Sequence, residues 1–394
     1  GIEMAVPVRM VLYAPSEEAA LAASQAALAR IRELNGIMSD YDPASEVRRL
    51  SASSGSGEEF PVSADLWNVL SRANEISIAS GGAFDVTIGP VVRLWRRARR
   101  QGELPTPERI QQQLASVGFQ AIEMRQPGRR VLLTRPGMWI DLGGIAKGYA
   151  IDEALKVLRT HRVSSALVDA GGDIGLGDAP PDRDGWVIGV APLDRDAEPS
   201  LFLSLSNVSV ATSGDSWQFV EIGGRRYSHL VDPCTGLGLT DHSSVTVIAR
   251  DATTADALAS AASVLGPERG RELVDSIAGA AALIVGLGHL LVRDYSDEQF
   301  RELVQVDPVR LIEAVVAAVG FVGAGTIIRR REGEEVQGLT TAASLLMAAG
   351  IGVAAGLENY LLAGGASLLC VIVLWLLGLW EKRVLRSKAD DGEP

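Results

Sequence analysis

Asp256 and Ser260, in the run DATTADALAS at 251–260, place a carboxylate and a hydroxyl four positions apart. On a helix that spacing puts both on one face. Oxygen donors on a rigid face suit a hard divalent cation. The same stretch also makes an ordinary helix start. Thr253 or Thr254 can cap the first turn, and an early Asp complements the helix dipole. Other loops share one design, a strand running into glycines with an acid or hydroxyl attached. They are GGAFD (81–85), DLGGIAKG (141–148), DAGGD (169–173) and ATSGD (211–215). Glycine lets the backbone approach a ligand and present N–H groups, which is how loops cradle phosphates. Lys147 adds a positive charge to the second loop. Each loop alone is more often a plain turn, and none is a G-x-G-x-x-G or Walker A sequence. Together with Asp256 and Ser260 they point to a phosphate-bearing ligand held with a metal. His229, in RRYSHLVDPCTG (225–236), is a candidate general base, because the ordinary pKa of imidazole lies near neutrality; the other reading is a structural histidine.

The surrounding pattern predicts the elements that carry these loops. Residues 17–38 have Ala and Leu at helical spacing with charges opposite, an amphipathic helix. Residues 64–80 are again helical, and TPERIQQQLASVG starts on Thr-Pro and stops on Gly. GGAFDVTIGP predicts a turn into a strand. RVLLTRPGMWIDLGGIAKGYAIDEALKVL reads as strand, turn, strand, glycine loop and helix. SALVDAGGDIGLG reads as a strand ending in a glycine loop. GWVIGVA, LFLSLSNVSVATSGD and SSVTVIA are further strands. Strands and helices mix without regular βαβ alternation, so the expected class is α+β.

The chain has 394 residues, a net charge of −12 and 47% hydrophobic residues. The acidic balance argues against a nucleic-acid partner. The basic run RLWRRARR at 93–100 reads as a solvated face, with no aromatic interleaving of the kind that binds nucleic acid. Cys234 and Cys370 form no metal spacing and no disulfide pair, which leaves the redox compartment open. The apolar excess lies near the end, in LIEAVVAAVGFVGAGTII, GLTTAASLLMAAGIGVAAGL and YLLAGGASLLCVIVLWLLGLW. Each approaches the roughly 20 apolar residues a spanning helix needs. The expected layout is a domain at 1–285, a linker at 286–307, three transmembrane helices at 308–381 and a charged tail at 382–394.

The motifs SDYDPASE, GGAFDVTIGP, DLGGIAKGYAIDEA, DAGGDIG, VATSGD, YSHLVDPCTG and DATTADALASA stand in one order. In that order they resemble the ApbE-type FAD:protein FMN transferases over roughly residues 4–285. The resemblance implies a two-lobed α+β fold with FAD in a cleft. It implies magnesium-dependent transfer of FMN from FAD to a Thr or Ser of a target flavoprotein, with release of AMP. Targets of that family are typically subunits of membrane redox or ion-pumping complexes. Carried over by position, Met4 and Tyr41 meet the flavin, and Ala83, Phe84 and Asp85 line the cleft. Asp169, Gly171, Gly172 and Asp173 meet the adenosine part, and Ser213 and Gly214 complete the FAD site. Magnesium is expected on the Gly144 carbonyl, Asp256 and Ser260, with Lys147 stabilising charge and His229 activating the acceptor hydroxyl. MAVPV stands where the family has Met-Gly-Thr, Ser260 stands for a usual Thr, and the family's closing strand after about residue 285 is missing.

Residues 307–380 resemble the C-terminal half of MgtC/SapB-type membrane proteins, without that family's first spans. Gly352 and Gly356 form a small-xxx-small pair suited to helix packing in lipid. Arg329, Arg330 and Arg331 follow the first expected span, and Lys382, Arg383, Arg386 and Lys388 follow the third. The positive-inside rule places both clusters in the cytoplasm and the flavin domain on the outer side of a bacterial inner membrane. That orientation implies an export segment upstream of Gly1. The segment 278–292 is short for a span, and its first part reads as a core strand. The alternatives left open are an FAD pyrophosphatase using the same site, an inactive flavin-binding membrane protein, and an artefactual fusion of two unrelated halves.

Overall fold

The computed structural model describes residues 2–190, 199, 201–214, 219–240, 242–286 and 289–291, with isolated positions between 328 and 368. The chain divides into two compact units, Gly1–Gln305 and Val306–Pro394. In the second, the described residues include a short antiparallel pair, Ile328–Arg329 with Val336–Gln337. The three expected membrane helices fall almost wholly outside the described residues. Among the described residues, no helix is long and apolar enough to cross a membrane.

The first unit is α+β, as its sequence predicts. Its main sheet runs β1 (Ile2–Glu3), β2 (Val6–Leu12), β6 (Ala166–Ala170), β7 (Asp173–Leu176), β10 (Ser209–Gly214), β13 (Ser243–Ala249), β14 (Ala281–Gly286), β15 (His289–Leu291). Every neighbouring pair is antiparallel. Small sheets accompany it: β3 (Phe60–Pro61) with β5 (Arg130–Leu133) and β4 (Ile122–Arg125), β8 (Trp186–Gly189) with β9 (Phe202–Leu205), and β11 (Phe219–Ile222) with β12 (Arg225–Ser228).

Strand alternation divides the core in two. Ala166, Val168 and Ala170 of β6 join the larger core with Val245, Val247 and the helices. Leu167 between them joins Leu176, Trp186, Ile188 and Leu203 on the other face, under the β8–β9 hairpin. On the larger face lie α1 (Glu17–Met38), α6 (Ala146–Thr160) and α7 (Ala252–Leu265). α1 matches its predicted bounds. Ser16 caps it by accepting the Ala19 N–H at 3.2 Å, and Ala23, Ala27, Ile31, Leu34 and Met38 form its buried stripe. Arg30 of α1 bridges Asp65 at 2.5 Å and Glu153 of α6 at 2.7 Å. The remaining helices are α2 (Glu46–Ala52), α3 (Ala64–Ala79), α4 (Gly89–Gln101), α5 (Pro107–Leu114) and α8 (Pro267–Asp275).

Several expectations are corrected. GGAFDVTIGP forms no strand. Asp85 Oδ1 accepts both the Thr87 N–H at 2.8 Å and its hydroxyl at 2.6 Å, which locks a turn, and Gly89-Pro90 then opens α4. The stretch expected as a second strand in MWIDLGG makes a single bridge, Ile88 to Trp139, because Ile140 N–H is taken by Ser51 Oγ at 3.0 Å. DAGGD is a hairpin rather than a strand end. Gly171 and Gly172 form its turn at φ +67° and +99°, values open to glycine, between paired Ala170 and Asp173. LFLSLSNVSVATSGD is two strands, β9 and β10, broken where Asn207 takes φ +53°. The cap of α7 is Asp251, whose Oδ1 accepts the Thr254 N–H at 2.8 Å, so Thr253 and Thr254 lie inside the helix. The basic run 93–100 is only partly a solvated face. Trp95 and Ala98 are buried, Arg93 lies 4.1 Å over the Trp139 ring, and Arg96 lies 4.6 Å over Tyr41. Within 278–292, β14 pairs with β13 and β15 with β14, so this segment closes the sheet.

Met4 and Ala5 form the two-residue turn from β1 to β2, at φ +50° and +61°. Both are left-handed, the conformation in which an L side chain is strained and glycine is not. Ala5→Gly is therefore expected to raise stability by about 1 kcal/mol, read as a higher denaturation midpoint with an unchanged slope. A lower midpoint would show that this turn carries no strain.

Candidate active site

The site begins with a glycine. A Cβ on Gly148 would stand 2.2 Å from the Ala252 carbonyl oxygen, so only glycine lets α6 cross the start of α7 this closely. At the crossing Asp152 of α6 caps α7 from outside. Its Oδ1 accepts the Ala252 N–H at 2.8 Å, and its Oδ2 accepts the Thr253 N–H at 2.9 Å and hydroxyl at 2.5 Å. One turn further along, Asp256 Oδ2 accepts the Gly148 N–H at 3.2 Å. Each helix thus satisfies backbone donors of the other.

Beside Gly148, Lys147 is drawn between two carboxylates. Its Nζ donates to Asp173 Oδ2 at the start of β7 and stands 3.8 Å from Asp256 Oδ1. Asp173 and Asp256 are 2% and 5% exposed, so the charges face one another with little water between them. Burial pushes the Asp256 carboxyl up to about 7; Lys147 opposes that rise and Asp173 adds to it. Burial pulls the Lys147 ammonium down, but Asp256 and Asp173 outweigh it and hold the amine above its ordinary value. With all three ionised, the cluster keeps one uncompensated negative charge.

Ser260 lies on the Asp256 face of α7, four positions on, as expected. A Cβ on Gly144 would stand 2.9 Å from Ser260 Oγ and 3.3 Å from Phe84 Cε2. The structure therefore brings the Gly144 loop, Ser260 and Phe84 together, with Asp256, Lys147 and Asp173 alongside. Among the described residues no three His, Cys, Asp or Glu side chains cluster as a metal site. The donors available here are one carboxylate, one hydroxyl and a glycine-loop carbonyl. That all-oxygen set, with its excess negative charge and the bare Cα of Gly144, fits magnesium better than a softer metal.

The other predicted residues hold varied places. Tyr41 is exposed under Arg96, which also pairs with Asp40 and with half-buried Asp141 at 3.0 Å. Arg96 thus ties the SDYDP loop to the DLGG loop, a link the sequence reading missed because the arginine sits in a run of five. Asp85 faces inward. Besides Thr87, it accepts the Phe119 N–H at 2.9 Å through Oδ2, so both oxygens hold the fold, while Ala83 and Phe84 are buried beside it. Asp169 Oδ1 accepts the Gly172 N–H at 3.0 Å and steadies the hairpin turn. Gly171 sits against Val6, next to the Met4 turn. Ser213 and Gly214 end β10, paired with Val245 and Ser244, and Asp215 lies outside the described residues. His229 is half-buried after β12, between Tyr227 and Val231, which pack on Trp95.

A family model described as the ApbE family matches residues 4–284. The chain belongs to the ApbE family. A model of the MgtC family matches residues 254–383. The FAD:protein FMN transferase of Treponema pallidum is 35% identical over 288 residues, 68% of this chain and 76% of that protein. The protein of the same name from Haemophilus influenzae is 30% identical over 262 residues, 65% of this chain and 76% of its own length. The crystal structure of the Thermotoga maritima ApbE protein aligns with a TM-score of 0.68 at 30% identity, covering 78% of this chain and 98% of that one. The Vibrio cholerae flavin transferase ApbE aligns with a TM-score of 0.67 at 27% identity, covering 77% and 97%.

The ApbE domain carries a pH signature in this cluster. Folding raises the Asp256 pKa to about 7. The buried carboxyl therefore costs the metal-free fold least below about pH 4, the unfolded value, and progressively more as pH rises through 7. Asp256→Asn should raise the melting temperature in EDTA at pH 8, and the gain should shrink at pH 5. Magnesium should then stabilise the native protein at pH 8 and leave the variant unmoved. Equal magnesium shifts for both proteins would remove Asp256 from the metal site.

Proposed function

We propose that this ApbE-family chain transfers the FMN half of FAD to a Thr or Ser hydroxyl of a target flavoprotein and releases AMP, with magnesium. The observation that carries the reading is the convergence of Gly144, Lys147, Asp173, Asp256 and Ser260 at the α6–α7 crossing. Relatives named FAD:protein FMN transferase support it. Asp256, Ser260 and the Gly144 carbonyl would hold the ion. When bound, magnesium supplies neutralising charge to the diphosphate of FAD. Lys147, kept charged by its two carboxylates, stabilises negative charge at the same place. The acceptor oxygen forms a bond to the FMN-side phosphorus as the bond to the AMP oxygen breaks. His229 takes the acceptor proton. Hydrolysis of FAD to FMN and AMP is the competing outcome at the same site.

Incubating the protein with FAD, magnesium and a Ser/Thr-bearing acceptor from a flavin-carrying ion pump should add FMN covalently, read by mass spectrometry. Asp256→Ala should abolish AMP release. Ser260→Ala should be milder, because water can replace a neutral oxygen. Free FMN with an unmodified acceptor would instead identify a pyrophosphatase, and full activity in Asp256→Ala would refute the metal assignment.

The MgtC-family match supports a membrane setting for the C-terminal unit. In our reading three spans anchor the chain in a bacterial inner membrane, with Arg329–Arg331 and the basic tail cytoplasmic and the ApbE domain outside. Its acceptor is then a subunit of a membrane redox complex exposed on that side. Protease added to intact spheroplasts should digest the ApbE domain and spare the tail. Protection of the ApbE domain would reverse the orientation.

A further inference from the structure

A cavity of about 450 Å³ opens further along α6, away from Lys147 in sequence. Four cationic side chains reach it from three elements: Arg72 of α3, Lys156 and Arg159 of α6, and Arg250 between β13 and α7. Two acids, Asp152 and Asp251, also line it, but both are spent on capping α7. The Lys156 ammonium bonds Glu153 at 2.7 Å, and Arg72 bonds Thr254 and Glu75. Arg159 and Arg250 make no side-chain hydrogen bond or ion pair among the described residues. Behind the cations the wall is apolar at Leu155 and Leu176, with amides at Asn68 and Asn207. Four cationic side chains against two lining acids thus surround a concavity of ligand size.

We propose that this cavity binds a small phosphate-bearing molecule at a site separate from the FAD site. Among the described residues the Arg159 and Arg250 guanidinium forks have no close ion pair, with Asp178 as a longer-range electrostatic partner of Arg159, and such forks match phosphate oxygens bidentately. The apolar wall and the amides suit an organic group esterified to that phosphate. This site stands whether or not the flavin-transfer reading holds, since it shares no side chain with the Lys147 cluster.

The test is calorimetric titration of the full chain in EDTA with AMP, inorganic pyrophosphate and adenosine. AMP should bind saturably below about 1 mM, and adenosine should not. Tighter binding of AMP than of pyrophosphate would identify a phosphate ester as the ligand; the reverse would identify free phosphate. The double variant Arg159→Gln, Arg250→Gln should melt like the native protein and bind at least tenfold more weakly, while Lys147→Met should bind as before. Absence of saturable binding, equal binding of adenosine, or loss of binding in Lys147→Met with retention in the double variant would each overturn the proposal.

Discussion

The missing side chain of Gly148 is the constraint on which the site depends. Any Cβ there would collide with the Ala252 carbonyl. Because none is present, α6 and α7 meet backbone to backbone, and the small residues of α7 continue the fit. Ala255, Ala257, Ala259, Ala261 and Ala262 are all but inaccessible to solvent, and Gly270 of α8 meets the Ala262 carbonyl in the same way. Close approach brings Asp152 within reach of the first N–H groups of α7 and Asp256 within reach of Gly148. Lys147 precedes that glycine, so its direction is set by the same contact. A larger residue at 148 would separate the helices and with them every charged group of the site.

Electrostatics follows from that geometry. Two buried carboxylates around one ammonium are not balanced, and desolvation makes the imbalance expensive. Asp256 answers it in the metal-free protein with a raised pKa. In the proposed magnesium site a divalent cation would let the carboxylate remain charged and would leave Lys147 for the anionic substrate of that reading. The same logic separates the acids of the glycine loops. Both oxygens of Asp85 accept backbone N–H groups and Asp169 Oδ1 accepts the Gly172 N–H, whereas Asp173 Oδ2 and Asp256 Oδ1 turn toward Lys147.

That distinction shows what could be read from sequence. Asp256 and Ser260 were legible as a pair because helical periodicity alone puts them on one face. The stripe of α1 was legible for the same reason: short-range spacing decides it. Asp152 was not singled out, because the donors it caps lie 100 and 101 positions away. Asp85 misled the strand prediction because VTI alternates like a strand, while the Asx turn and Pro90 win locally. Arg96 was hidden in a basic run whose members have different fates, and only the fold separates the arginines stacked on Tyr41 and Trp139 from the rest.

Residues 254–284 are matched by both family models, and the structure assigns them to one use. They form most of α7, all of α8 and the first part of β14. α7 carries Asp256 and Ser260, and α8 packs through Gly270 on Ala262. β14 pairs along β13 from Ala281 opposite Ile248 to Gly286 opposite Ser243. These residues cannot leave the ApbE sheet without removing Asp256 and Ser260 and uncovering the edge of β13. Any independent C-terminal module must therefore begin after β15, which pairs with β14, whatever further similarity extends upstream. Apolar strand residues such as AALIVG satisfy a membrane-protein pattern and a buried strand equally well, since both environments select Ala, Val, Ile and Leu. The hydrogen-bond register of β13 and β14 is the physical fact that separates the two readings.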